Sequence, residues 1–333
     1  MRIIVSWRPA SWFVAAAVLA APVTATFAAP KGFTVVAVIP LPGVTGRIDH
    51  LAYDPVRDWV FVAELGNNTV EAVNVATRRV EHRLSGFGEP QGVAWSPTLG
   101  RLFVASGDGK VQSFRSEDLA PDKSVDIGED ADNVRVDEKA RRLYVGHGKG
   151  AIAVLDGRTL AKITDIPLRG HPESFQLAPN DSRVFVNVPE ANEVSIVDRL
   201  RAKSIGGWPN GATRAANYPL ALDTFNQRAL SVFRNPARIV AYDLARGSVA
   251  IEAPTCADAD DVFIDERRHQ VYVVCGEGVV EILSNPALHS VARVPTASGA
   301  RTGLFRADID RLFVAARAAG DKPAALWVLA PTP

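Results

Sequence analysis

The sequence predicts an all-β fold, a seven-bladed β-propeller whose last blade is closed by an N-terminal strand at residues 33–40. Three observations predict it. A unit recurs seven times at a spacing of 41 to 45 residues, each unit carries apolar alternation of strand type, and the seventh unit ends without its fourth strand.

The recurrence is read from two positions per unit. A turn position falls at Asp54, Ser96, Asp137, Ala178, Asp223, Asp265 and Arg306, and seven residues beyond each stands Phe61, Phe103, Tyr144, Phe185, Leu230, Tyr272 or Phe313. Apolar residues lie one and three places before the turn, as in Leu51 and Tyr53, Val93 and Trp95, or Val134 and Val136. That period of two belongs to a strand. Within the third unit the strands are predicted at 134–137, 142–145, 151–156 and 162–166, separated by turn-forming segments such as Gly146 to Gly150. About forty residues per four strands is the length of a propeller blade. Apolar runs such as Leu143-Tyr144-Val145 fit a sheet buried on both faces.

The seventh unit supplies strands only at 303–305, 312–315 and 324–329. Residues 33–40, FTVVAVIP, match the outer-strand segments SVARVP at 290–295 and KITDIP at 162–167. They are therefore expected to complete blade seven and to seal its edge.

The [L/V]-[F/Y]-V strands Leu102-Phe103-Val104, Leu143-Tyr144-Val145 and Val271-Tyr272-Val273, each followed by a turn rich in Gly or Asn, resemble the YVTN-type β-propeller repeat family. The resemblance spans residues 33–330 and implies the fold. It implies no single chemistry, because that family includes binding proteins, lactonase-like enzymes and subunits of redox complexes.

Charge and leader set the expected surroundings. Lys plus Arg and Asp plus Glu both number 37, so no overall field draws the chain to nucleic acid or to a membrane surface. Arg2 and Arg8, the short apolar run from Ser11 to Val23, and the small residues around Thr26 predict a signal peptide over residues 1–28, with the propeller domain at 29–333 and a periplasmic or secreted destination. The apolar run is shorter than the roughly 20 residues of a membrane-spanning helix, so no span is expected after cleavage.

A functional site is expected where the segments leading into the inner strands converge on the channel mouth. Five residues before the turn positions stand Asp49, Gln91, Asp132, Glu173, Tyr218, Asp260 and Arg301, beside His50, Asn133, Ser174 and Asp261. Four of these seven are carboxylates. From this ring His50, Gln91, Asp132, Asn133, Glu173, Asn217, Asp261 and Arg301 are the candidate ligand-binding residues. The same polarity also suits strand ends that cap one another without a ligand. Calcium-dependent lactonase propellers hold a divalent ion with one Glu, Asn residues and an Asp. Glu173, Asn133, Asn217 and Asp261 supply those side-chain types as a candidate metal set, without aligning to the lactonase motif residue by residue.

His147 and His171 are expected on the same face as His50, and Trp208 to Tyr218 is expected as an extended loop there, suited to a lid or a partner contact. Cys256 and Cys275 fall on adjacent strands of blade six and form a candidate disulfide. Neither a Gly-x-Ser-x-Gly elbow nor a CxxCH is present. The expected function is binding of a small polar ligand, a cation or a periplasmic protein partner. A metal-dependent lactonase-like hydrolase and an accessory subunit of a periplasmic dehydrogenase stand as alternatives.

Overall fold

The structure, a computed structural model, describes Met1 and residues 32–332. Apart from Met1, the expected signal peptide lies outside the described residues. Among the described residues no helix is long and apolar enough to cross a membrane.

The described strands form seven four-stranded antiparallel sheets. Their inner strands are Leu51–Asp54, Pro90–Ser96, Val134–Asp137, Phe175–Leu177, Ala215–Asp223, Ala259–Asp265 and Thr302–Arg306. Each touches the next, and the last touches the first, which closes a seven-bladed β-propeller. Blade seven is completed by Phe33–Pro40, which runs antiparallel to Ala325–Pro331 with Val38 opposite Trp327 and Ile39 opposite Leu326. Phe33 also meets Tyr272 of blade six edge to face, with ring centres 4.7 Å apart. The closing strand thus ties the ring at two blades.

The repeated aromatic row is the core. Phe61, Phe103, Tyr144, Phe185, Leu230, Tyr272 and Phe313 are each 1% exposed or less. Each such side chain contributes about 1.5–3 kcal/mol by leaving water. Stacking links blades: Phe61 lies 5.6 Å from Trp95 of blade two, and Tyr53 lies 6.1 Å from Phe313 of blade seven. The recurring Asp has an equally local cause. Asp54, Asp137, Asp223 and Asp265 accept backbone N–H bonds from Val56, Ala140, Asn226 and Arg267 at 2.9–3.1 Å, folding the turn between first and second strands.

One expectation is corrected. Trp208 to Tyr218 is not an extended loop: Trp208 ends the outer strand Lys203–Pro209, and Tyr218 belongs to Ala215–Asp223. Only residues 210–214 connect them. The reason is packing, since the Trp208 ring sits 5.2 Å from Phe185 and 5.8 Å from Tyr242 in the interface between blades four and five. The connection is pinned by Arg214, which donates to the Asn210 carbonyl at 2.6 Å and to Glu252 at 2.7 Å. A ring used as core cannot also serve as a lid.

Cys256 and Cys275 are joined by a disulfide, their Cα atoms 5.9 Å apart. It fastens the segment leading into the inner strand of blade six to the end of the second strand.

Candidate ligand site at the channel mouth

The segments before the inner strands are held by extra rungs of pairing. Asp49 N–H donates to Ala63 O at 2.7 Å, Asp132 N–H to Gly146 O at 2.9 Å and Glu173 N–H to Asn187 O at 3.0 Å. Each rung fastens the segment to the end of its own second strand. Neighbouring blades are joined through His50 N–H to Gln91 O and Ser174 N–H to Tyr218 O, both 3.3 Å. Their side chains converge from blades one, three, four, five and six.

Between them lies a small cavity of about 20 Å³, lined by Asp49, His50, Asp132, Asn133, Glu173 and Asp260, with Arg47, Ser174 and Tyr218. A space of roughly 10–15 Å³ on this measure holds one water, so the cavity admits one water-sized group. It does not enclose a sugar or a lactone ring.

The charges are unevenly matched. Arg47 lies 2.9 Å from Asp49. Asp260 is paired twice, with Arg234 and with Arg301 at 2.8 Å. Asp132 and Glu173 have neither an Arg nor a Lys within ion-pair distance and make no side-chain hydrogen bond among the described residues. The basic group beside Asp132 is His50, with Nε2 3.8 Å from Oδ1. Burial, reinforced by the nearby Arg135 guanidinium, pushes the His50 pKa down to about 4, so at neutral pH it brings no charge. Burial pushes Glu173 up to about 7, with His171 opposing and Asp260 adding to the shift. Burial and then the charges of Asp49 and Glu173 raise Asp132 well above its ordinary value. Asp49 and Asp260 are raised by burial as well, against the pull of their arginines.

Asn133 adds a neutral acceptor. The residue is 2% exposed, its amide makes no hydrogen bond among the described residues, and its Oδ1 is sealed from solvent. An orphaned buried amide oxygen costs about 1–3 kcal/mol.

The other candidates are placed around or away from this cavity. Gln91 donates to Asp130 at 3.2 Å, and Arg301 reaches Asp258 and Asp260. The candidate metal set is not assembled: Asn133 and Glu173 line the cavity, but buried Asn217 donates to the Glu193 carbonyl at 3.0 Å and Asp261 accepts from Gly303 N–H at 2.8 Å. Among the described residues no group of three or more His, Cys, Asp or Glu is arranged to hold a metal ion. His147 is turned to Asp165 at 3.1 Å, and His171 to the Gly148 carbonyl at 2.7 Å.

Sequence reasoning missed Arg47, Arg135 and Arg234. Arg47 stands two residues before Asp49, a spacing that could have flagged it. Arg234 comes from the end of the second strand of blade five and lies 4.0 Å over the Tyr218 ring. Only the pairing of strands brings it there.

No family model matches the chain, and no curated protein matches its sequence. Solved structures do. A chain of the Kuenenia stuttgartiensis hydrazine synthase is 15% identical with a TM-score of 0.72, covering 82% of this chain and 95% of that one. A chain from the crystal structure of a mitotic checkpoint complex is 17% identical with a TM-score of 0.75, covering 97% of this chain and 99% of that one. Likeness at such identities is one of fold, and the chain is a seven-bladed β-propeller.

Proposed function

We propose that this chain is an exported propeller of the YVTN type whose channel mouth binds a small positively charged ligand. The observation that carries the reading is the pair Asp132 and Glu173, two recessed carboxylates without an Arg or Lys in ion-pair distance, in a cavity where Arg47, Arg234 and Arg301 are already paired and Arg135 donates to the Val134 carbonyl at 2.9 Å. Neutral His50 leaves that imbalance standing. A ligand charge entering the cavity meets two acceptors that water satisfies poorly, which is the situation in which an ion pair contributes most. A lactonase-like mechanism would draw on Asn217 and Asp261 as ion ligands, and neither lines the cavity that Asn133 and Glu173 share.

Calorimetric titration of the purified protein at low salt tests this, with methylammonium, potassium and calcium as cations and acetate as the anion control. At least one cation is expected to bind and acetate is not. The double substitution Asp132→Asn, Glu173→Gln is expected to weaken cation binding by at least about tenfold, with the circular dichroism spectrum unchanged. Cation binding that survives both substitutions would contradict the reading.

A further inference from the structure

We propose that the group recognised in this cavity is a primary ammonium, its three N–H bonds directed at Asp132, the Asn133 amide oxygen and Glu173. The inference rests on the cation reading above and narrows it to one chemistry.

Acceptor count is the first argument. An –NH₃⁺ group carries three donors and no acceptor. The cavity offers three side chains of the opposite kind that make no hydrogen bond among the described residues: the carboxylates of Asp132 and Glu173 and the amide of Asn133. Asn133 distinguishes the site from a mere cluster of acids, because the residue lines the cavity and its buried Oδ1 has no hydrogen-bond partner among the described residues.

Size is the second. About 20 Å³ accepts one water-sized head, which an ammonium is, while its substituent would have to lie outside the cavity. A guanidinium is a larger, planar fork. Calcium takes six to eight oxygens, more than the five that these three side chains carry.

The third argument is aromatic. Quaternary ammonium ions are held over aromatic faces. Beside the His50 imidazole, the aromatic face lining the cavity is that of Tyr218, and Arg234 already lies 4.0 Å from its centre. A cation without N–H bonds would gain charge attraction here but leave the three acceptors unmet.

The test is a calorimetric comparison on the full mature chain at about pH 8, where Glu173 is largely ionised. Probes are methylammonium, tetramethylammonium, the dipeptide Gly-Gly-amide and its N-acetylated form. Methylammonium is expected to bind at least about tenfold more tightly than tetramethylammonium. The free dipeptide is expected to bind and the acetylated one to fail. Whichever of methylammonium and free dipeptide binds more tightly tells a small amine from a polypeptide amino terminus, and both uphold the ammonium. Equal binding of methylammonium and tetramethylammonium would overturn the ammonium assignment while leaving the cation reading intact. Binding of neither methylammonium nor any inorganic cation would overturn both. Asn133→Asp, which keeps the shape and an acceptor, is expected to retain ammonium binding. Asn133→Leu is expected to lose it by about tenfold or more, and ammonium affinity unchanged in a folded Asn133→Leu protein would also overturn the assignment.

Discussion

Gly92 and Asp132 occupy one another's space: a Cβ placed on Gly92 would lie 1.9 Å from the Asp132 carbonyl oxygen. Blades two and three thus meet backbone to backbone at the residue whose carboxylate lines the cavity. Gly92→Ala is therefore expected to shift the Asp132 segment, costing about 1–3 kcal/mol of stability and weakening cation binding together. Gly206→Ala, where a Cβ meets nothing within 4 Å, is the control and should change stability by less than about 0.5 kcal/mol. Urea unfolding of the two variants checks the difference.

Closure of the ring by residues 33–40 gives a second expectation. Ile39 is fully buried in the core shared by blades seven and one, whereas Val38 beside it is 51% exposed. Ile39→Ala should cost about 2–5 kcal/mol, as truncation of a packed aliphatic chain does. Val38→Ala should cost less than about 0.5 kcal/mol. Denaturation midpoints distinguish them.

The Cys256–Cys275 bond closes a loop with a sequence separation of 19. Chain-entropy reasoning assigns such a cross-link about 3 kcal/mol. Cys256→Ser, Cys275→Ser should lower the unfolding free energy by roughly that amount, and a reducing agent should not lower the variant's stability further.

Glu173 and His50 impose opposite dependences on pH. Burial raises Glu173 from 4.5 to about 7, so across that window the folded chain keeps a proton the unfolded chain has released. Its contribution to stability is complete below pH 4.5 and is lost as pH rises towards 7. Burial lowers His50 from 6.5 to about 4, so there the unfolded chain takes up the proton first, and stability is lost as pH falls through that window. The groups acting on Glu173 include His171, Arg234, Asp49 and Asp260. Relative to the unsubstituted protein, Glu173→Gln should gain stability as pH rises from 4.5 to 7, and His50→Asn should lose it between 4 and 6.5. Cation affinity should also rise about tenfold from pH 6 to pH 8 as Glu173 ionises, a slope that Glu173→Gln flattens. Unfolding and titration series across pH check both.

How much the sequence discloses varies with the range of the interaction. The blades are legible because their signals are local: Asp54 folds the turn that follows it, and Phe61 seven residues later is buried whichever blade adjoins it. The closing strand is legible because 33–40 resembles the other outer strands. The ring of mouth residues is legible too, as Asp49, Asp132, Glu173 and Asp260 do share one cavity. What position along the chain does not disclose is which partner each side chain takes. Asn217 stands next to Tyr218 in sequence but spends its amide on the Glu193 carbonyl of another blade. Arg234 and Arg301 neutralise Asp260 from blades five and seven, leaving Asp132 and Glu173 as the exceptions. Trp208 misleads because an aromatic beside Pro and Asn-Gly reads as a loop, and only the packing of Phe185 and Tyr242 makes it core.

The most direct test of the channel-mouth site is a high-resolution crystal structure grown with saturating methylammonium. The account predicts its nitrogen in the cavity within about 2.7–3.2 Å of Asp132, Asn133 Oδ1 and Glu173. An ammonium absent from the cavity, with Asp132 and Glu173 each bonded to a protein group instead, would contradict it.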